Sequence, residues 1–316
     1  MPAWIRLLRP GDWTKNVFVL LPAVFWLSGQ GKGLAESDVW AKVWPLLEAF
    51  GCFCMAASGS YCVNDALDAA KDRLHPVKRR RPVASGAIGA GAAVGVGCAL
   101  QIAAVAVGFL MVSRVVGACL LVYLVLQALY NVRLKRVPLV DVSVLATGFC
   151  LRAAGGAAAI GVQMSVWLLL CVFFLTLFLG FTKRLCDLAA AENARAAGEH
   201  VDWKPRIGYE SRDQMNWLLG VSGALVVMLY VMYTLSPHAD RLYGARAMGL
   251  ALLTPLVMIA IHRFYRRANL GLSDAPLETL TSDRALLASM ASFGIGTLLV
   301  LYWAPVETLL KGLLLR

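Results

Sequence analysis

Apolar positions along the chain gather into long runs divided by polar connections. Nine runs approach the ~20 mostly apolar residues that a membrane-crossing helix requires: 16–31, 41–62, 87–110, 114–130, 139–161, 164–182, 214–235, 246–265 and 286–306. The pattern predicts an all-α, polytopic membrane protein with one transmembrane domain over 1–316. The first run is the weakest, since Pro22 interrupts it and Gly29, Gly31 and Gly33 follow. A re-entrant or tilted helix is the alternative there. The connections are unequal: 111–113 and 162–163 are minimal, whereas 63–86, 183–213 and 266–285 are long and charged. Polar chemistry is therefore expected on the side of the long connections. Ala- and Gly-rich stretches at 84–97 and 153–161 predict close helix packing, because small residues let backbones approach in lipid.

Composition supports the same class. Apolar residues make up 59% of the chain and charged residues 16%, against ~25% charged in soluble domains. That excludes a disordered chain and a small secreted scaffold. The net charge is +11. In a soluble protein such an excess would suggest nucleic acid. Here the bases lie between apolar runs, so they point to the lipid bilayer's anionic headgroups or a phosphorylated substrate, with no nucleic acid partner. With the N-terminus inside, 22 of the 30 Lys and Arg fall on inner segments and 7 on outer ones, with Arg152 inside a span. The positive-inside rule then places the N-terminus and the long connections in the cytoplasm, in an inner (plasma) membrane protein. No small-residue cleavage site follows the first run, so no signal peptide is expected. The 8 cysteines sit mostly inside apolar runs without metal-ligand spacing and are read as buried hydrophobes. A homo-oligomer is compatible with this sequence.

The strongest local signal closes the second run: Asn64-Asp65-Ala66-Leu67-Asp68-Ala69-Ala70-Lys71-Asp72-Arg73-Leu74-His75-Pro76. On a helix, Asp65, Asp68 and Asp72 share one face, with Asn64 beside it. Three adjacent carboxylates repel unless a cation neutralises them. Oxygen donors of this kind suit Mg2+, which completes its shell with substrate phosphates. A charged helix end at headgroup level is the plainer alternative. The basic run Lys78-Arg79-Arg80-Arg81 follows, and beside the acidic face it reads as the other half of a phosphate site.

These residues resemble the UbiA superfamily of membrane prenyltransferases. The pattern Asn64-Asp65-x-x-Asp68-x-x-x-Asp72-Arg73-x-His75-Pro76-x-Lys78-x-x-Arg81-Pro82 is similar in particular to its decaprenyl-phosphate phosphoribosyltransferase branch. So are Arg9-Pro10-x-x-Trp13-x-Lys15-Asn16, Tyr130-Asn131-x-x-Leu134-Lys135 with Asp141, Lys183-Arg184-x-x-x-Asp187, and Ala275-Pro276-x-Glu278 with Asp283-Arg284. Aromatic prenyltransferases of the superfamily carry a second Asp-rich motif after the sixth span. Here that place offers Lys183, Arg184 and Asp187, then dispersed Asp202, Glu210 and Asp213.

The resemblance implies a UbiA-type bundle of nine helices with a cytoplasmic-side active site. It implies Mg2+-dependent transfer of 5-phosphoribose from phosphoribosyl diphosphate to a polyprenyl (decaprenyl) phosphate, releasing diphosphate. Asp65, Asp68 and Asp72 would hold the metal. Lys78, Arg81, Lys183 and Arg184 would clamp phosphates. Lys15, Asn64, Lys135, Asp141 and Tyr209 would contact substrate, although ordinary snorkelling also accounts for Lys15 and Lys135. Asp141 either serves the metal or holds a base such as Lys135 or Arg152. Arg152, inside a span, needs a partner on a neighbouring helix or a route to a polar cavity. Asp274, Glu278 and Asp283 either close over the sugar or balance basic charge. The competing readings are prenyl transfer from a prenyl diphosphate to an aromatic acceptor, and a non-enzymatic transporter or lipid-binding protein.

Overall fold

The computed structural model describes residues 2–29, 36–74, 78–198, 208–272, 279 and 281–314. The regular elements among them are helical. In chain order they are α1 (Ala3–Leu8), a 3-10 segment (Pro10–Val19), α2 (Leu21–Gly29), α3 (Glu36–Leu67), α4 (Ala69–Arg73), α5 (Ala90–Val107) with a π turn over Gly108–Val112, and α6 (Arg114–Val132). Then come α7 (Val140–Ala159), α8 (Val166–Ala196), α9 (Arg212–Thr234), α10 (Pro237–Tyr243), α11 (Arg246–Ala251), α12 (Thr254–Asn269), α13 (Arg284–Tyr302) and α14 (Ala304–Leu314). Short 3-10 turns occupy Lys78–Arg80 and Leu134–Arg136.

Eight helical stretches among the described residues are long and apolar enough to cross a membrane. They coincide with the second to ninth apolar runs. The protein is thus an all-helical, multi-pass membrane protein. The first run differs. Its residues are divided between the 3-10 segment and α2, which has 9 residues. At ~1.5 Å per residue such a helix covers less than half of the ~30 Å hydrocarbon thickness. Pro22 lacks a backbone donor, so it is tolerated in the first turn of a new helix and not in the middle of an old one.

The chain forms two compact units, which share α7. One comprises 1–27, 31–135 and 147–164; the other comprises 28–30, 136–146 and 165–316. In the first unit, α3 packs along α5 and against the 3-10 segment. The core gathers Val19, Phe53, Leu120, Tyr123 and Ile160. Two glycine contacts set how near its backbones come. A Cβ on Gly59 would lie 2.6 Å from the Gly97 carbonyl oxygen, and one on Gly156 would lie 1.8 Å from the Val19 carbonyl oxygen. Side chains are therefore excluded where α3 crosses α5, and where the 3-10 segment crosses α7. In the second unit, α8 and α9 form the main pair, and α12 packs on α8, α9 and α13. Phe178, Phe181, Leu185, Met215, Leu219 and Leu286 fill its core.

The α3–α5 crossing gives a direct test. Gly59→Val should destabilise the protein by about 1–3 kcal/mol through overpacking. Gly95→Val on the same helix pair should be nearly silent, because a Cβ there meets nothing within 4 Å. Thermal unfolding in detergent measures both. Equal melting temperatures for the two variants would contradict the close crossing.

Candidate active site

In the first unit the acidic segment begins where α3 ends. The helix stops at Leu67, and Asp68 occupies a turn with φ −89° and ψ 0° before α4. The hydrogen-bond ladder nevertheless continues: the Asp68 N–H donates to the Asn64 carbonyl, and the Asp72 N–H to the Asp68 carbonyl, both at 2.9 Å. Asp65 and Asp72 therefore remain two turns apart on one side, and both are buried. One nitrogen of Arg81, Nη1, donates to Asp72 Oδ2 at 2.7 Å and to Asp65 Oδ1 at 3.3 Å. Arg9 Nη2 donates to the same Asp65 oxygen at 2.5 Å, and its guanidinium lies 4.8 Å from the Tyr61 ring centroid. Two buried carboxylates are thus neutralised by two arginines, which offsets their mutual repulsion and their desolvation.

Arg9 reaches Asp65 because the N-terminal corner docks on one face of α3. Arg9 itself takes a left-handed conformation, φ 51°, which ends α1 and turns the chain into the 3-10 segment. Ser58, two turns before Asp65, donates to the Leu8 carbonyl at 2.8 Å and accepts from Trp13 Nε1 at 3.0 Å. Arg9 was not among the expected site residues. It lies 56 positions from Asp65, so no local spacing could have exposed the pair. Its place in the Arg9-Pro10-x-x-Trp13 motif was the available signal.

The other expected residues of this unit are more open. Asp68 is partly exposed, with Lys135 Nζ at 3.9 Å from its Oδ1. Lys15 pairs with Asp12 at 2.5 Å on the 3-10 segment. Lys78 is exposed on its short turn, and Asn64 is half-buried. His75 lies outside the described residues. Asp65 Oδ2 is buried and has no hydrogen-bond partner. Among the described residues no three His, Cys, Asp or Glu side chains converge closely enough to hold a metal ion. The donor set is still all oxygen, as a hard divalent cation prefers, and the Asp65 oxygen is unused.

Deeper in the same unit, Arg152 is buried without a carboxylate partner among the described residues. Neutral acceptors and ring faces surround it. Nε donates to Asn16 Oδ1 at 2.6 Å, Nη1 to the Gly148 carbonyl at 2.9 Å, and Nη2 to the Tyr123 hydroxyl at 3.0 Å. The Tyr123 and Phe149 centroids lie 4.6 and 5.2 Å from its guanidinium carbon. Such contacts recover part of the hydration that a buried cation loses. They also tie the 3-10 segment to α7.

The second unit holds a separate charged cluster. Asp141, in the first turn of α7, is buried. Its Oδ2 accepts from Arg184 Nη2 at 3.0 Å, and its Oδ1 from the Tyr209 hydroxyl at 2.6 Å. Arg184 and Tyr209 thus hold Asp141 at the start of α7. Tyr209 in turn accepts from the Leu139 N–H at 2.7 Å. That contact holds Leu139 in a left-handed conformation, φ 64°, which a branched side chain rarely adopts. Gly208 beside it has φ +83°, and a Cβ there would lie 2.4 Å from Pro138. Burial and the hydrogen bond to Asp141 push the Tyr209 phenol above its ordinary range. It is a neutral, fully engaged donor. Arg184 keeps a buried Nε without a partner, whereas adjacent Lys183 is exposed. Consecutive helical residues face different directions, so the pair separates into one held and one open cation.

Asp283 accepts at 2.8 and 3.0 Å from Arg263 Nη2, and its Oδ1 caps α13 by accepting the Ala285 and Leu286 N–H groups. The Arg263 hydrogen bonds hold its carboxyl below the usual range. Of its two expected roles, balancing basic charge is the one its contacts perform. Asp202, Asp274 and Glu278 lie outside the described residues.

Known proteins with related sequences and folds frame these clusters. The UbiA prenyltransferase family matches residues 19–270. Decaprenyl-phosphate phosphoribosyltransferase of Corynebacterium glutamicum is 31% identical over 310 residues, covering 96% of this chain and 87% of that protein. The protein of the same name from Mycobacterium tuberculosis is 31% identical over 294 residues, covering 92% of each. Among solved structures, a UbiA homologue from Archaeoglobus fulgidus bound to GPP and Mg2+ superposes with a TM-score of 0.63 at 18% identity, covering 98% of this chain and 99% of the other. A digeranylgeranylglyceryl phosphate synthase gives 0.62 at 14% identity, over 96% and 98%.

Tyr209→Phe should lower stability by about 1–3 kcal/mol, because the Leu139 donor and an Asp141 oxygen both lose their partner. The pH dependence has a defined sign. A phenol whose folded-state affinity for its proton is raised contributes stability below the ordinary tyrosine value near ~10 and loses it as pH rises further. The wild type should therefore lose more stability than Tyr209→Phe above that value. Parallel alkaline unfolding curves would contradict the assignment.

Proposed function

This chain belongs to the UbiA prenyltransferase family, and on that premise we propose that it transfers 5-phosphoribose from phosphoribosyl diphosphate to a polyprenyl phosphate of the decaprenyl type. The observation that carries the proposal is the similarity, at 31% identity over most of both chains, to decaprenyl-phosphate phosphoribosyltransferases from two bacteria. The charge inventory supports it. Exposed Lys78 and Lys183, and Arg81 beside the carboxylates, offer more cationic groups than a single diphosphate requires.

In the proposed reaction a lipid phosphate oxygen attacks the anomeric carbon. The new C–O bond forms as the bond to diphosphate breaks, and the leaving group takes the electron pair. The nucleophile is already ionised near neutral pH, so no general base is needed. Asp65, Asp68 and Asp72 would hold Mg2+, with the unpartnered Asp65 oxygen as the available donor. Bound there, Mg2+ would neutralise the charge growing on the departing diphosphate. Arg81, already shared by two carboxylates, would donate to a phosphate oxygen. Lys78, Lys183 and Arg184 are the further phosphate-binding cations. Lys15, Asn64 and Lys135 are the substrate contacts, and Tyr209 acts by positioning Asp141.

The same reading makes the 3-10 segment with α2 a ninth crossing, and the chain one functional domain. The bias of Lys and Arg toward alternate connections supports a cytoplasmic N-terminus and active site in the plasma membrane. A cysteine introduced at Ala196 should be labelled from the cytoplasmic side; labelling from outside intact cells would reverse the topology.

The reaction is tested with two labelled donors in parallel, phosphoribosyl diphosphate with polyprenyl phosphate, and prenyl diphosphate with aromatic acceptors. Ribose label should enter the lipid phase, and EDTA should stop it. Product from the prenyl donor alone would replace this reading with aromatic prenyl transfer. Asp68→Asn should cost at least ~100-fold in rate while leaving the melting temperature unchanged, since Asp68 is partly exposed. Full turnover in that variant would remove the metal assignment.

A further inference from the structure

The second unit carries a groove between α9 and α12, floored by Phe178 of α8, with a volume of about 570 Å³. Its trough is apolar, lined by Gly220, Ala224, Met228 and Met258. Small residues create it: a Cβ on Gly220 meets nothing within 4 Å. Its chemistry is graded along its length. Arg212 Nη2 donates to the Asn269 carbonyl at 3.3 Å, so the start of α9 and the end of α12 lie together. Asn216, His262 and Tyr265 therefore mark one end of the groove, and Met228 and Met258 the other. The trough lies between two membrane-crossing helices, where lipid is the solvent.

The polar end is incompletely satisfied. Asn216 Oδ1 is buried and has no hydrogen-bond partner. A buried acceptor left unmade is costly, so this position calls for a donor. The charges around that end are mostly committed. Arg212 pairs with Glu192, and Arg263 and Arg267 with Asp283. Arg266, one turn past His262, and Asp213, one turn before Asn216, are exposed and have no salt bridge among the described residues. One cation and one anion suit a zwitterionic headgroup, and the Asn216 oxygen adds the requirement that its cationic part carry N–H.

We propose that this groove is a binding site for a phospholipid with an ethanolamine headgroup. The phosphate faces Arg266, the ammonium donates to Asn216 Oδ1 on the Asp213 side, and one acyl chain fills the trough over Gly220 and Ala224. Phosphatidylcholine has the same charges but no N–H, so the two lipids differ in the one property the site demands. The proposal is independent of the reaction assigned above.

The test is native mass spectrometry of the full chain, delipidated and supplied with chain-matched phosphatidylethanolamine, phosphatidylcholine and phosphatidylglycerol. Ethanolamine lipid should be retained over choline lipid by roughly tenfold, the size of one charge-assisted hydrogen bond. Asn216→Leu should abolish the preference, and the near-isosteric Asn216→Asp should keep or increase it. Arg266→Gln should weaken both zwitterionic lipids without changing their ratio. Gly220→Phe should expel lipid altogether. Equal retention of ethanolamine and choline lipids, or preference for phosphatidylglycerol, would overturn the proposal. So would one-for-one displacement by polyprenyl phosphate, or a Gly220→Phe variant whose only change is its oligomeric state. Those two outcomes would assign the groove to the acceptor lipid or to a second copy of the chain.

Discussion

Asp65 and Asp72 share a single nitrogen of Arg81, and Arg9 closes over Asp65 from the N-terminal corner. In an apolar bundle this neutralisation is the condition on which the other arrangements rest. A lone carboxylate at the end of a membrane helix would carry a desolvation cost of several kcal/mol. The chain meets that condition with long-range arginines, and doing so brings α1, the 3-10 segment and the turn at Lys78–Arg80 around the acidic end of α3. The Asp141–Arg184 pair of the second unit follows the same rule, with Tyr209 as the additional donor.

Arg152 follows a different version of it. Its neighbours are an amide oxygen, a carbonyl, a hydroxyl and two aromatic faces. A cation held by neutral groups keeps its charge uncompensated in the interior, which makes its geometry demanding. The Asn16 contact fastens the 3-10 segment to α7, and the absent side chain of Gly156 lets the two backbones meet there. The N-terminal segment that presents Arg9 to Asp65 is therefore anchored at two points, by Ser58 on α3 and by Arg152 on α7. This links helix packing to the electrostatics of the acidic cluster.

In the acidic cluster the contacts that permit burial and the groups proposed for the reaction are the same atoms. The arginines that make burial of Asp65 and Asp72 tolerable are also the kind of group suited to a diphosphate, and the unpartnered Asp65 oxygen is the kind a hard cation takes. Tyr209 and Leu139 contribute differently. A strained backbone turn is held by a phenol that cannot readily ionise, so Asp141 is kept in place by a group insensitive to pH over the neutral range.

What the amino-acid order alone determined is the part governed by local periodicity. Among the described residues, eight apolar runs became helices long and apolar enough to cross a membrane, because a run of ~20 apolar residues has few other ways to satisfy its backbone in lipid. The spacing of Asp65 and Asp72 likewise brought those two carboxylates within reach of one arginine, whereas Asp68 lies partly exposed at the turn after α3. The first run was less legible, since Pro22 and a 3-10 backbone interrupt the period on which such reading relies. Only the tertiary structure decided which base meets which acid. Arg9 with Asp65, Arg184 with Asp141 and Arg152 with Asn16 are separated by 56, 43 and 136 positions. Pairing at such distances is set by how helices pack and where a missing Cβ lets two backbones touch, and neither is written in the spacing of residues along the chain.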